Sequence, residues 1–131
     1  MNDRFSQRLR IQPGEYVIEH LPGATDRVST ADWLALVRAP EGLTVVRSAK
    51  SEDPAGDRWV AFYGGQTAHD LDVPGMLAAV VNPLAQAALP VFVASAFHAD
   101  LVFVQAEHRD EATEVLRGAG HVVQDPADAP A

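Results

Sequence analysis

Residues 75–105 read GMLAAVVNPLAQAALPVFVASAFHADLVFVQ, and the change of hydrophobic period inside this stretch decides the fold. From Gly75 to Ala88 the apolar residues Leu77, Val80, Val81, Leu84 and Ala88 follow the three-and-four spacing of a helix face. Pro83 lies inside that helix, where it lacks the N–H for one helical hydrogen bond, so a kink or break is expected there. Leu89 to Phe97 is almost continuously apolar and reads as a strand. A turn at Ala99-Asp100 leads into a second strand from Leu101 to Gln105. Working outward, Arg58 to Phe62 is a strand closed by a bend at Gly64-Gly65. On the other side, residues 109–117 repeat the helical spacing at Ala112, Val115 and Leu116, with Gly118 and Gly120 as C-terminal caps, and His121-Val122-Val123 is a short last strand. The order is β-α-β-β-α-β. It predicts an α+β, ferredoxin-like unit with a four-stranded antiparallel sheet and both helices on one face.

The first half is expected to be smaller and mostly β. Residues 1–14 read as an irregular lead-in ending at the Pro13-Gly14 turn. Strands follow at Tyr16-Val17-Ile18 with Leu21, at Trp33 to Arg38 and at Leu43 to Arg47. Ser29 to Asp32 are placed to cap a short helical turn near Trp33. The polar run 48–57 marks a boundary, giving an N-terminal subdomain over 1–56, a C-terminal domain over 57–125 and a frayed tail over 126–131. A four-stranded sheet leaves its second face needing cover, which the strands of the first half can supply. Trp33 and Trp59 are expected in the core or between the two halves.

Bulk properties narrow the function. The 131 residues are 47% hydrophobic and 21% charged, an ordinary globular balance. A formal charge of −8 sets the surface against phosphate backbones and anionic membranes, so neither nucleic acid nor a membrane is an expected partner. With no cysteine, thiolate chemistry and Cys-based metal sites are excluded. The five histidines show no paired ligand spacing, and Ser95, His98 and Asp100 crowd within six residues, which triad members rarely do; neither a metal nor a catalytic role is expected. No apolar run reaches the length of a bilayer span, and Met1 to Arg10 lack a signal-peptide core, so the cytoplasm is the default location.

The segment Asp72-Val73-Pro74-Gly75-Met76-Leu77 resembles the signature of the ACT domain, in which an acidic residue, Pro-Gly and an aliphatic residue join the first strand to the first helix. The Pro83-Leu84-Ala85 helix, the Ser95 to Asp100 turn and the Arg117-Gly118-Ala119-Gly120-His121 ending resemble the subfamily that includes the CASTOR arginine sensors and small bacterial tandem ACT proteins. Pro13-Gly14-Glu15-Tyr16 and Leu43-Thr44-Val45-Val46 fit the less regular first half of that subfamily. The resemblance implies a non-catalytic regulatory module, a homodimer, that binds an amino acid without a cofactor. Two departures stand out. Ala96 and Ala99 occupy the positions of the turn's two threonines, and Pro90 that of a small polar residue, so hydroxyl donors are missing near the expected pocket.

The residues make their own case for a site. A glycine opening a helix allows close approach to the backbone, and the first N–H groups of that helix are unpaired and favour an anion. Gly75, Met76 and Leu77 are therefore the expected carboxylate binders, with Asp72 and Val73 beside them. Asp100 is placed to take an ammonium or cationic side chain. Pro90 and Val91 are expected on an edge strand, where a twofold partner closes the pocket. The competing expectation is a ligand-free dimerisation or docking module.

Overall fold

The computed structural model of the chain describes residues 6–22, 33–65 and 74–126. Eight strands and two helices follow in order: β1 (Arg8–Ile11), β2 (Tyr16–Pro22), β3 (Trp33–Ala39), β4 (Gly42–Ser48), β5 (Trp59–Tyr63), α1 (Met76–Gln86), β6 (Val91–Ser95), β7 (Asp100–Gln105), α2 (Arg109–Gly118) and β8 (Val122–Gln124). All eight strands join one mixed sheet. The β-α-β-β-α-β order of the second half is as expected.

One strand was not expected. Residues 8–11 are no irregular lead-in but form β1, which lies between β8 and β5. It runs parallel to β8 (Leu9 beside Val123) and antiparallel to β5 (Ile11 beside Phe62). The reason is alternation: Leu9 and Ile11 are buried in the main core, while Arg8 and Arg10 point to the other face. The sheet beneath the helices is thus β8-β1-β5-β7-β6 rather than four-stranded. β5 holds the architecture together. One edge pairs with β7, and the other is shared by β1 near Tyr63 and β2 at Trp59. From β2 the sheet continues through β4 to β3 in antiparallel register.

The core has two parts, one on each face of β5 and β7. Val60, Phe62, Val102 and Val104 pack with Val80, Leu84, Ala112 and Leu116 from the helices. On the opposite face Ala61 and Phe103 are wholly buried under Tyr16 and Val46 of the first half. Phe103 sits between Tyr16 and Phe92 in edge-on contacts, with ring centroids 5.9 and 6.0 Å apart. The first half therefore covers the sheet's second face. Trp59 takes part in this cluster, but Trp33 does not: it stands on β3 at the sheet edge, 39% exposed. Leu34, Leu36 and Val37 share that exposed edge. The expected cap at Ser29 to Asp32 lies outside the described residues.

Both helices end in the same hydrogen-bonded cap. After α2, Gly120 N–H donates to Arg117 O and His121 N–H to Leu116 O, with Gly120 at φ +99°. After α1, Ala88 N–H donates to Ala85 O and Leu89 N–H to Leu84 O. Leu89 is buried against the core that contains Leu84. Here the left-handed position is Ala88, at φ +60°. The helical spacing that placed Ala88 on the apolar face breaks at this residue, which is exposed. An L-residue pays about 1 kcal/mol in that conformation. Ala88→Gly should consequently stabilise the fold by about 0.5–1 kcal/mol in urea unfolding; a loss of stability would contradict the strain.

The polar run 48–57 is tied down by Arg47 and Arg58. Arg47 donates to Glu19 at 2.8 Å and to both carboxylate oxygens of Asp53 at 2.8 and 3.0 Å. Arg58 donates to Glu15 and to the carbonyls of Lys50 and Asp53. Asp53 also accepts from the Lys50 N–H at 2.7 Å. The Arg47 guanidinium, and then the Lys50 amide, hold the Asp53 carboxyl below the usual carboxylate range. A depressed carboxylate contributes stability that is present above its unfolded value, about pH 4, and is lost as pH falls through its folded value. Asp53→Asn should flatten the acid side of a melting-temperature-against-pH curve below about pH 4. Parallel curves for the two proteins would count against this.

Candidate functional site

The helix start at Gly75 and the beginning of β7 share one end of the sheet. β5 stops there at Tyr63 and pairs with β7 at Leu101, one residue after Asp100. β6 ends there at Ser95, opposite Asp100. α1 begins there, because Gln7, which leads into β1 at this end, donates from Nε2 to Met76 O at 2.7 Å. Alternation along β7 puts Asp100 on the same face as Val102 and Val104, the face on which α1 lies. Asp100 and the α1 start are thus brought to one end and one face.

Gly75 is the N-cap of α1, exposed and left-handed at φ +91°, and has no side chain to bond the first turn. Helix geometry leaves the N–H groups of Met76, Leu77 and Ala78 without intrahelical acceptors; Ala79 N–H is the first to find one, on Gly75 O at 3.0 Å. The Met76 side chain itself is buried, so this residue offers its backbone and not its side chain. Leu77 packs against the main core. Asp100 accepts from Ser95 Oγ at 2.6 Å. Ala99, beside it, is buried with 1% exposure, whereas Phe97 at the tip of the turn is 71% exposed and stands edge-on to His98. Ala96 N–H donates to Ala99 O and closes the turn.

Pro90 and Val91 lie elsewhere. β6 runs toward Asp100, so Val91 pairs with Val104 at the far end of the strand. Four residue steps separate it from Ser95, about 13 Å along an extended chain. Within one copy of the chain, Pro90 and Val91 do not join Gly75 and Asp100. They do lie on an edge strand, since β6 pairs only with β7 among the described residues. Asp72 and Val73 lie outside the described residues. Among the described residues no group of three His, Asp or Glu side chains is arranged to hold a metal, and no helix is long and apolar enough to cross a membrane.

A polar network beside the helix start was not foreseen. Pro83 does not break α1, which runs on to Gln86. Its missing N–H would have bonded Ala79 O, and that carbonyl is instead met by His121 Nε2 at 2.8 Å. The other ring nitrogen, Nδ1, accepts from the Gln7 main-chain N–H at 3.1 Å. With Nδ1 accepting, Nε2 is the nitrogen that faces the carbonyl as donor. Gln7 and His121 are both buried, at 6% exposure each. Helical Pro83 and a lone apolar-flanked His121 are the only sequence traces of this arrangement.

Comparison with known proteins agrees with this fold. Residues 55–118 match the family model of the ACT domain, and the mixed, sheet-dominated second half with its two helices is consistent with an ACT-type ferredoxin-like fold. A Vibrio cholerae protein of unknown function, described as a possible transport protein, has a solved structure that superposes with a TM-score of 0.72 at 26% identity, covering 91% of each chain. A protein from Agrobacterium tumefaciens superposes with a TM-score of 0.74 over 92% of this chain and 93% of its own. At 23% identity that likeness is one of fold. The search of curated proteins gives no match.

Proposed function

We propose that this chain is a regulatory module that binds an amino acid between two copies of itself and catalyses nothing. The observation that carries the reading is the pairing of an uncapped, glycine-opened helix start with Asp100 at one end and one face of the sheet. The first-turn N–H groups, without acceptors among the described residues, and the helix dipole favour a carboxylate at Gly75, Met76 and Leu77, with Asp72 and Val73 preceding them in sequence. Asp100 then takes the ammonium group or a cationic side chain. Such a polarity suits a zwitterion, and ACT domains are generally regulatory. The finer likeness to the CASTOR-type sensors adds to the same reading; a first unit over 1–56 and a second over 57–125 belong to that reading, with β1 of the first lying in the sheet of the second.

A twofold partner accounts for Pro90 and Val91. If two β6 edges pair antiparallel about Val93, the partner copy's strand start comes opposite Ser95, next to Asp100. A closed interface of this kind would also cover the half-buried Phe92 and Ala94. One specific observation favours the ligand-free docking module instead: Trp33, Leu34, Leu36 and Val37 are exposed along β3, which suits protein contact without a ligand.

Thermal unfolding against the free amino acids tests the first reading. A ligand present at 100-fold over its dissociation constant adds about 2.7 kcal/mol of stability and raises the melting temperature. The absence of any shift across the amino acids, combined with a monomer by light scattering, would sink it.

A further inference from the structure

The two ends of the described chain meet at the first turn of α1. Ser6 Oγ donates to Gly120 O at 2.6 Å, and Val122 N–H donates to Gln7 O at 2.9 Å. Gln7 then makes two further bonds at the same junction. Its N–H goes to His121 Nδ1 and its side-chain amide to Met76 O. His121 completes the circuit through Ala79 O. Both contacts on α1 are to carbonyls, one in the first turn and one where the first turn closes. Neither touches the N–H groups of Met76, Leu77 and Ala78. A helix start held by its acceptors keeps its donors unspent and its dipole fixed in direction.

We infer that Gln7 and His121 are positioning residues for the helix start, holding the first turn of α1 by its carbonyls so that its N–H groups face a ligand's anionic end. The inference rests on the proposed amino-acid site for its functional meaning, but the holding itself is a property of the free protein. Pro83 makes the arrangement specific. A helix with an ordinary residue at 83 would satisfy Ala79 O internally, and His121 would lose its task on α1. The proline transfers that carbonyl from the helix to His121, just before β8, and so to Gln7, just before β1.

The exchange of Pro83 for alanine therefore offers a rescue. Hydrogen–deuterium exchange is followed over residues 77–86 in the free protein for Gln7→Leu, His121→Ala, Pro83→Ala and the His121→Ala/Pro83→Ala pair. Gln7→Leu and His121→Ala should each speed exchange in α1 by about tenfold or more, the size expected for a buried group left without its partner. Adding Pro83→Ala should return most of the protection lost in His121→Ala, because an amide at 83 refills Ala79 O. Unchanged exchange in the two single variants, or a double variant no better protected than His121→Ala, overturns the inference. Gln7→Leu serves should His121→Ala not fold.

The same four proteins are then titrated with whichever of the twenty free amino acids binds the parent. Weaker binding in Gln7→Leu and His121→Ala, recovered in the double variant, ties the positioning to the site. Altered exchange with unaltered affinity would overturn that tie. If no amino acid binds the parent, the ligand reading fails on its own, and the exchange data still decide whether the two residues position the helix.

Discussion

Phe103→Ala should cost about 3–5 kcal/mol and lower the melting temperature by about 10–20 °C. Phe103 is fully buried in the middle of β7, and its ring meets Tyr16 from the first half and Phe92 from β6. Truncation removes both edge-on contacts and leaves a void under the strands that cover this face. Against a usual total of about 5–15 kcal/mol, the loss takes a large share of the stability. The damage should be uneven. Protection of β2 and β4 amides should fall first, because Tyr16 and Val46 rest on this ring, while α1 and α2 lie on the other face. Phe97→Ala, by contrast, removes a ring that is 71% exposed and should change stability by less than about 0.5 kcal/mol. Calorimetry on both variants checks the contrast. Equal losses would mean that the face opposite the helices is not a core.

The second large effect is expected on binding. Asp100→Asn keeps size and the ability to accept from Ser95 but removes the charge. If the ammonium of an amino acid lies against Asp100, affinity should fall by about 1.5–3 kcal/mol, or roughly ten- to a hundredfold. Gly75→Val acts at the other end of the ligand. It sets a branched side chain at φ +91°, where L-residues are strained, and beside the N–H groups meant for a carboxylate. All amino-acid ligands should weaken alike in that protein, whereas Asp100→Asn should discriminate among them by charge. Titration calorimetry separates the two patterns. An Asp100→Asn protein that binds as the parent does removes Asp100 from the site.

What could be read in the sequence follows the range of the forces involved. The helices and strands of the second half announce themselves through local period, and Leu84, Leu116, Val102 and Val104 lie in the core as their spacing requires. β1 did not, since Arg8-Leu9-Arg10-Ile11 offers one short alternation amid charges. Its place is decided by Val122 to Gln124 and by Phe62, far away in sequence. Ala88 fits the helical spacing, yet the cap geometry turns it out. Gly75 and Asp100 share one end of the sheet because β5 and β7 are antiparallel neighbours and Gln7 ties the α1 start to that end. Pro90 and Val91 separate from them because a strand has a direction, which a run of residue types does not reveal. His121 carries no metal-ligand spacing. Its partners, a proline-orphaned carbonyl and a main-chain amide at residue 7, are visible only in three dimensions.

The insertion of β1 between β5 and β8 also has a consequence for biosynthesis. β1 leaves the ribosome long before β8, the neighbour on its outer edge. At about 5–20 residues per second, the stretch from Ile11 to Val122 takes roughly 6–22 s to synthesise, and Leu9 and Ile11 wait through it for their final surroundings. Until Val122 to Gln124 emerge, a nascent chain carries an apolar strand with one edge open, a template for pairing with another chain. A chain truncated before residue 122 would be fixed in that state, so removal of β8 should yield insoluble product.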